Sequence, residues 1–156
     1  MKRALYWTIF LAGITLTTSF RKHRVIDSAK ADKDTYSVYI IKSEYELKIY
    51  DQDGEWLASY PVVFGSKDLG DKLYQGDRRT PEGVFHITGK RKHAKWERFM
   101  LIDYPTAESY AKFNQRKALG LIPANAKIGG EIGIHGTVPY DDYAIDQYRN
   151  WTEGCI

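Results

Sequence analysis

Cysteine is almost absent from this chain of 156 residues, which holds a single one, Cys155, next to its last residue. A lone cysteine excludes an intramolecular disulfide, so the thiol is a buried apolar side chain, a site for pairing with another chain, or a reactive group. Internal repeats and low-complexity tracts are also absent, and the length suits one compact domain with a short appendage.

An excess of positive charge is missing from most of the chain, although the formal net charge is +3. The first 24 residues hold five Lys and Arg and no acid, which leaves 18 basic and 20 acidic residues for the rest. This balance argues against a nucleic-acid partner. One local cluster departs from it, and we interpret it as a solvated loop or strand end rather than a phosphate site: Lys90, Arg91, Lys92, His93 and Lys95.

The amino-terminal segment, residues 1–24, has the pattern of a signal peptide or membrane anchor. Lys2 and Arg3 precede 17 mostly apolar residues without charge (4–20), and no cysteine is present there for lipid attachment. As a helix this run would span about 26 Å, slightly less than a bilayer core. We therefore expect export to the periplasm or cell envelope, with anchoring to the inner membrane through residues 4–20 if the segment is not cleaved. A buried amino-terminal helix is the alternative.

A polar linker is predicted at 25–35, and the domain follows over 36–156. Runs rich in Tyr, Val and Ile predict antiparallel strands at 36–43, 45–52 and 55–65, with a hairpin turn at Asp53-Gly54.

The second half of the domain has weaker signals. Gly, Asp and Pro dominate 66–83, which predicts a long exposed loop, and a strand resumes at 84–92. Apolar residues at near-helical spacing predict a helix at 107–120 that ends at Gly120. A glycine-rich strand is predicted at 127–138, and a loop or short helix at 139–151. The fold class is therefore mostly β with one or two short helices.

Two residues near the carboxyl end have the chemistry of a cysteine nucleophile and its base. His135 lies between Ile134 and Gly136 at the end of an apolar stretch, and Cys155 follows Gly154 in a turn-like stretch. Such a nucleophile needs a base within hydrogen-bond reach and donors for the oxyanion. Taken singly, a structural histidine and an inert buried cysteine are the alternatives.

These residues carry a resemblance to a known family. "IHG" (134–136), then 15 residues, then "TEGCI" (152–156) resembles the signature of the L,D-transpeptidase catalytic domain, the YkuD-type fold of bacterial cell-wall enzymes. "GDRRTPEGVFHI" (76–87) is similar to a second hallmark of the family. "IDYPTAES" (102–109) and "KIGGEIGIHG" (127–136) resemble its YafK-like branch.

The resemblance implies a β-sandwich-like catalytic fold and an acyl-transfer mechanism without metal or cofactor. Cys155 would attack a peptidoglycan peptide stem at diaminopimelate, release D-alanine and form a thioester, which an acceptor amine resolves. His135 would be the base and would keep a thiolate–imidazolium pair with a lowered thiol pKa. The remaining implied site residues, which form the oxyanion site or support the loop, are Gly136, Thr152, Glu153 and Gly154. A monomer is expected.

The sequence departs from the family pattern at two places. Glu153 stands where the family often has His, and its charge would oppose thiolate formation unless it faces substrate or solvent. The family usually continues beyond Cys-Ile with an arginine and a closing strand. We therefore expect an incomplete carboxyl end, and less activity than in a form extended by such a tail.

Three alternative functions stay open from the sequence. A peptidoglycan amidase or endopeptidase would use the same Cys155 and His135 but admit water to the thioester. A wall-binding pseudoenzyme would not react at all. A zinc site built from Cys155, His135 and a carboxylate lacks the usual ligand pairs at short spacing.

Overall fold

The computed structural model describes residues 36–137 and 142–156, so the predicted signal or anchor (1–24) and linker (25–35) lie outside the described residues. The predicted mostly β fold with two short helices is confirmed. No helix in the described ranges has both the length and the apolar character needed to cross a membrane. The elements are β1 (Ser37–Ile41), β2 (Glu46–Tyr50), β3 (Trp56–Pro61), β4 (Ile87–His93), β5 (Glu97–Ile102), α1 (Ala107–Ala118), β6 (Gly133–His135) and α2 (Tyr143–Asp146).

The first sheet has the order β1-β2-β3 and is antiparallel throughout, as the sequence predicts. Its second hairpin turns at the predicted Asp53-Gly54, where Gly54 has a φ of 79°. The carboxylate of Asp51 accepts hydrogen bonds of 2.9 Å from the amides of Asp53 and Glu55. The aspartate therefore satisfies turn amides that the sheet leaves unpaired.

The second sheet has the order β4-β5-β6 and is also antiparallel. Its central strand, β5, was not predicted, because two charged residues open it and leave only a short apolar run. The strand predicted at 84–92 begins later, at Ile87, and the strand predicted at 127–138 is reduced to Gly133–His135. Glycines on both sides of β6 weaken its strand propensity.

The connection between the two sheets, residues 62–86, contains no helix or strand, which confirms the predicted loop. The prediction that this loop is exposed holds only in part, because Lys72 and Thr80 are each 5% exposed while residues such as Lys67 and Gln75 are exposed. The ammonium of Lys72 lies 2.7 Å from the carboxylate of Asp77. The loop can bury polar side chains because they pair with one another.

Helix α1 occupies most of the predicted segment 107–120. Its N-cap is Thr106, whose hydroxyl accepts a hydrogen bond from the amide of Ser109 (3.3 Å). At the other end, Gly120 has a φ of 68°, and its amide and that of Leu121 donate to carbonyls of the last turn. This is the glycine-terminated ending that the sequence predicts.

The core draws side chains from both sheets and from the end of the chain. Phe64 is its most enclosed member, at 1% exposure, and Ile156 belongs to it at 7%. Burial of the last side chain fixes the position of the residue before it, which is Cys155. The core consists of Leu47, Val62, Phe64, Ile102, Tyr104, Ile132 and Ile156.

Candidate active site

The last residue of the chain pairs with β6 as a parallel strand would. The amide of Ile156 donates to the carbonyl of Gly133, and its carbonyl accepts from the amide of His135, both at 2.9 Å. This pattern sets Ile156 opposite Ile134 and Cys155 opposite Gly133. Because side chains alternate along a strand, the thiol and the imidazole of His135 lie on the same face, while the two isoleucines face the core.

The thiol of Cys155 is half-buried and lies against β6. Its Sγ is 3.7 Å from the carbonyl oxygen of Glu131, to which it can donate. Burial raises the pKa of the Cys155 thiol above its ordinary value, and the Gly133 amide and the Lys72 ammonium offset this only in part. The resting group at neutral pH is therefore a thiol.

The imidazole of His135 has a defined tautomer. Its Nδ1 is 2.8 Å from the carbonyl oxygen of Gly136, and a carbonyl only accepts, so Nδ1 carries the hydrogen. The lone pair of Nε2 is then available for a proton. Burial lowers the pKa of His135, the Gly136 carbonyl partly opposes this, and His93 and Lys95 lower it further. The ring is therefore a neutral base at pH 7.

Aromatic rings hold this imidazole on several sides. Trp96 stacks on it at 4.2 Å between centroids with an interplanar angle of 17°, and Phe99 lies nearly parallel at 5.9 Å. Trp151 meets it edge-on at 5.6 Å. Sequence reasoning missed all three rings. Trp151, directly before the "TEGCI" segment, is the one that proximity in sequence could have indicated.

The expected thiolate–imidazolium pair is not what the structure shows. No hydrogen bond joins the Cys155 thiol to the His135 ring among the described contacts, and burial favours the neutral form of each group. Catalytic hydrogen bonds are often long or absent before substrate binds. Both groups are therefore neutral at rest, and the missing hydrogen bond does not exclude a catalytic role.

Thr152 organises the loop that carries the thiol. Its hydroxyl donates to the carbonyl of Cys155 (2.8 Å) and accepts from the amide of Gly154 (3.1 Å), and the residue is 5% exposed. The amide of Gly154 is thus occupied, whereas within the described ranges the amides of Glu153 and Cys155 donate to no acceptor. These two amides are the candidates for an oxyanion site.

Gly154 itself cannot be replaced without strain. Its φ is +127°, and a Cβ there would lie 2.8 Å from the carbonyl oxygen of Arg79. This glycine lets the loop bearing Cys155 pack against the 62–86 connection.

Arg78 joins that connection to the same loop, a role that sequence reasoning did not identify, although the residue lies within the noted "GDRRTPEG" stretch. Its guanidinium donates to the carbonyls of Thr152 (3.2 Å) and Trp151 (3.1 Å). It also lies 3.4 Å from the carboxylate of Glu153, whose side chain is 81% exposed. Glu153 therefore faces solvent, with a cation beside it.

A buried ion pair supports the connection from below. The Lys72 and Asp77 side chains are 3% and 6% exposed, and Asp77 also accepts from the backbone amides of Leu73 and Arg79. Burial alone would raise the pKa of Asp77, but the Lys72 ammonium and the amides outweigh it and hold the pKa below its usual value. Lys72 also donates to the carbonyl of Arg79 (3.4 Å), the oxygen against which Gly154 packs.

An open cleft of about 500 Å³ lies beside the imidazole. Trp151, Thr152 and Ile156 form part of its wall, together with His135 from β6. Two acidic residues, Glu97 and Asp142, also line it, and the carboxylate of Asp142 accepts a hydrogen bond from the hydroxyl of Thr137 (3.1 Å). Within residues 36–137 and 142–156, no three His, Cys, Asp or Glu side chains come together as a metal site.

The fold and this site define a class: a mostly β domain with an imidazole on β6 and a thiol on the segment that pairs with β6, both on one face. The chain belongs to the YkuD family, the L,D-transpeptidase catalytic domain, whose family model matches residues 35–156. Members of this family are cysteine-dependent L,D-transpeptidases that act on peptidoglycan peptide stems.

Solved structures with similarity to the chain include two from bacteria. The helical cell shape determining protein Pgp2 from Campylobacter jejuni is 26% identical over 73% of this chain and 36% of its own, with a TM-score of 0.49. Bd1075 from Bdellovibrio bacteriovorus is 18% identical over 77% of this chain and 38% of its own, also with a TM-score of 0.49. The chain thus spans little more than a third of the length of these proteins. No curated protein matches it significantly.

Proposed function

We propose that this protein is a peptidoglycan L,D-transpeptidase that uses Cys155 as nucleophile and His135 as base. The observation that carries the proposal is the pairing of Ile156 with β6, which sets the thiol and the imidazole on one face of the strand. Membership of the YkuD family supplies the reaction class. Export to the cell envelope is part of the proposal.

In the first half-reaction, Nε2 of His135 takes the thiol proton as sulfur attacks the stem carbonyl. The oxygen that becomes negative is stabilised by the amides of Glu153 and Cys155. The intermediate then collapses, the bond to the leaving amino acid breaks, and the imidazolium gives its proton to the departing amine. The stem stays on sulfur as a thioester.

In the second half-reaction, an acceptor amine attacks the thioester. The imidazole removes a proton from that amine, the new amide forms, and the sulfur leaves and regains its proton. The carboxylates of Glu97 and Asp142 in the cleft would draw a protonated amine towards the imidazole.

Two alternatives have an observation in their favour. The cleft is open, so water can reach the same thioester, which would make the protein an amidase or endopeptidase. A wall-binding pseudoenzyme needs no hydrogen bond between thiol and imidazole, and the described structure has none.

Product analysis separates these functions. The chain is incubated with a muropeptide tetrapeptide donor, with and without a second stem as acceptor, and the products are resolved by mass spectrometry. We expect cross-linked dimer and free D-alanine, neither of which Cys155→Ala should produce. Shortened stems without dimer would show a hydrolase, and unchanged donor with both forms would show a pseudoenzyme. Lys67→Gln, an exposed change away from the site, is the control.

A further inference from the structure

The β4–β5 hairpin carries most of the unbalanced positive charge of the domain. We call residues 88–98 the basic hairpin, since they hold five Lys and Arg and one acid, Glu97. Residues 36–156 contain 16 basic and 17 acidic residues, so the remainder holds 11 and 16. A hairpin of net +4 thus stands against a remainder of net −5. Its cations are Lys90, Arg91, Lys92, Lys95 and Arg98.

These five cations have no carboxylate partners within residues 36–137 and 142–156. Among the described residues none of them lies within 4.0 Å of a carboxylate, whereas seven other Lys and Arg side chains do. Lys92 and Arg98 even lie directly opposite each other across the two strands. Like charges in that position destabilise a hairpin, and no carboxylate of the described residues offsets this repulsion through an ion pair.

Protection of a sheet edge explains only part of this charge. β4 is an edge strand of its sheet, and lysines on such strands discourage pairing with other chains. This reason covers the cations on β4 itself. It does not cover Lys95 in the turn or Arg98 on the central strand β5.

The strand register shows which cations face the imidazole. Arg91 lies opposite Phe99, and Phe99 lies opposite His135, so all three share a face of the sheet. The guanidinium carbon of Arg91 is 5.2 Å from the Phe99 ring centre, and the ammonium of Lys95 is 5.6 Å from that of Trp96. Both rings stack on His135. Each of these cations therefore contacts a ring that itself stacks on the imidazole.

We propose that the basic hairpin is a docking surface for the free carboxylates of a peptide stem. Arg91 and Lys95 are the cations that would bind these carboxylates. The proposal rests on the proposed function, which brings a stem to His135, and adds that the protein selects stems by their charge. A guanidinium can bind a carboxylate through two hydrogen bonds, and it loses the ionic part of that contact when the carboxylate is amidated.

The charge of the neighbouring cleft supports one orientation of the bound stem. Glu97 and Asp142 line the cleft and would repel a carboxylate there. The amine of an acceptor is therefore favoured in the cleft, and its carboxylates are favoured on the hairpin. Amidated stems would keep the amine contact and lose the hairpin contact.

Equilibrium binding tests this selection without turnover. In the Cys155→Ala background, calorimetry measures the dissociation constants of a stem tetrapeptide with free carboxylates and of its carboxamide analogue, at 50 and 500 mM salt. The test variant is Arg91→Gln/Lys95→Gln. The control is Lys67→Gln/Lys127→Gln, which removes the same charge from exposed lysines elsewhere. Arg91→Lys/Lys95→Arg keeps the charge, and circular dichroism checks the fold of every variant.

We expect the free-carboxylate stem to bind about five- to tenfold more tightly than its amide at low salt, the range for a few exposed charge contacts, and the preference to shrink at high salt. The double glutamine variant should lose the preference, while the control and the charge-keeping variant retain it. Equal affinities for the two stems in the unmodified hairpin would overturn the proposal, as would hairpin-dependent binding of phosphatidylglycerol vesicles without any binding of stems. Charge selection without acyl transfer would refute the proposed function alone, and acyl transfer without charge selection would refute only the docking surface.

Discussion

The thiol and the imidazole of the candidate site are held by different kinds of contact. The loop bearing Cys155 is fixed by hydrogen bonds and charges, from Thr152 within it and from Arg78 and the Lys72–Asp77 pair beneath it. The imidazole of His135 is fixed mainly by aromatic rings. The polar support depends on protonation states, whereas the aromatic support does not.

Because of this difference, the two halves of the site, the Cys155 loop and the His135 imidazole, can be perturbed separately. The polar contacts from outside the loop come from the 62–86 connection, and two of the aromatic contacts come from the basic hairpin and β5. The third ring, Trp151, belongs to the segment that Arg78 holds. A change in the 62–86 connection should therefore act mainly on the thiol, and a change in the basic hairpin mainly on the imidazole. The predictions below test that separation, from the largest expected effect to the smallest.

Removal of the base should have the largest effect. His135→Ala leaves the thiol and its loop in place but removes the proton acceptor, so kcat/KM for the tetrapeptide donor should fall by about 10²- to 10⁴-fold. Steady-state kinetics measure this loss. His86→Ala is the matched control, because that imidazole is 80% exposed and pairs with Asp103 instead. An equal loss in both variants would mean that His135 has no special role.

Removal of the buried cation should mainly affect stability. Lys72→Met leaves the Asp77 carboxylate buried without its partner, which costs about 3 kcal/mol in comparable pairs. Thermal and urea unfolding measure the loss, and Lys72→Met/Asp77→Leu should recover part of it. A double variant no more stable than the single one would argue against the pair as the cause.

The same pair gives a pH dependence with a definite sign. The folded state holds the pKa of Asp77 below its usual value, so the contribution is present above the unfolded value of about 4 and is lost as pH falls through the folded value. The stability gap between the unmodified protein and Lys72→Met should therefore narrow in acid. A constant gap from pH 7 to pH 2 would contradict this.

Removal of one aromatic ring beside His135 should shift the pH dependence of kcat/KM more than it lowers kcat/KM at pH 7. Burial lowers the pKa of His135, so the acid limb of kcat/KM should lie below the ordinary imidazole value of about 6.5. Trp96→Leu admits water to the ring, which should shift that limb to higher pH and cost a few-fold in rate at pH 7. Trp56→Leu, a change on β3 at a half-exposed indole, should leave the limb unchanged.

Loss of the Arg78 contacts should have the smallest effect. Arg78→Gln removes the cation beside Glu153 and weakens two hydrogen bonds to the loop, so kcat should fall by about two- to fivefold, in keeping with exposed charge contacts. The acid limb should move little, since Arg78 contacts the backbone carbonyl of Trp151 and not the ring that meets His135. A shifted limb would show that the two halves of the site are coupled.

Much of the fold could be predicted from sequence, because local patterns determine it. The β1–β3 meander follows from alternating Tyr, Val and Ile around Asp53-Gly54, and α1 follows from apolar spacing that ends at Gly120. β5 was not predicted, because its apolar run is short. Its place at the centre of the sheet depends on pairing with both β4 and β6, which a local pattern does not show. The burial of charged side chains in the 62–86 connection was not predicted either, because the pairing of Lys72 with Asp77 depends on tertiary packing.

Some features of the candidate site could likewise be predicted from the sequence, and others could not. Cys155 and His135 stand out through their residue types and the glycines beside them. The rings around the imidazole and the Arg78 contacts depend on segments up to 74 residues apart, which periodicity does not link. The neutral resting state of the pair is likewise a consequence of burial, which the sequence does not show.

Intact-mass spectrometry of the protein with its donor tests the central claim most directly. The account predicts that incubation with a tetrapeptide donor and no acceptor adds the mass of the stem without its terminal D-alanine. Digestion should place that mass on the peptide containing Cys155, and hydroxylamine should remove it, as expected for a thioester. Cys155→Ala should gain no mass. A stem adduct of equal yield on Cys155→Ala, or an adduct on any other residue, would contradict the account.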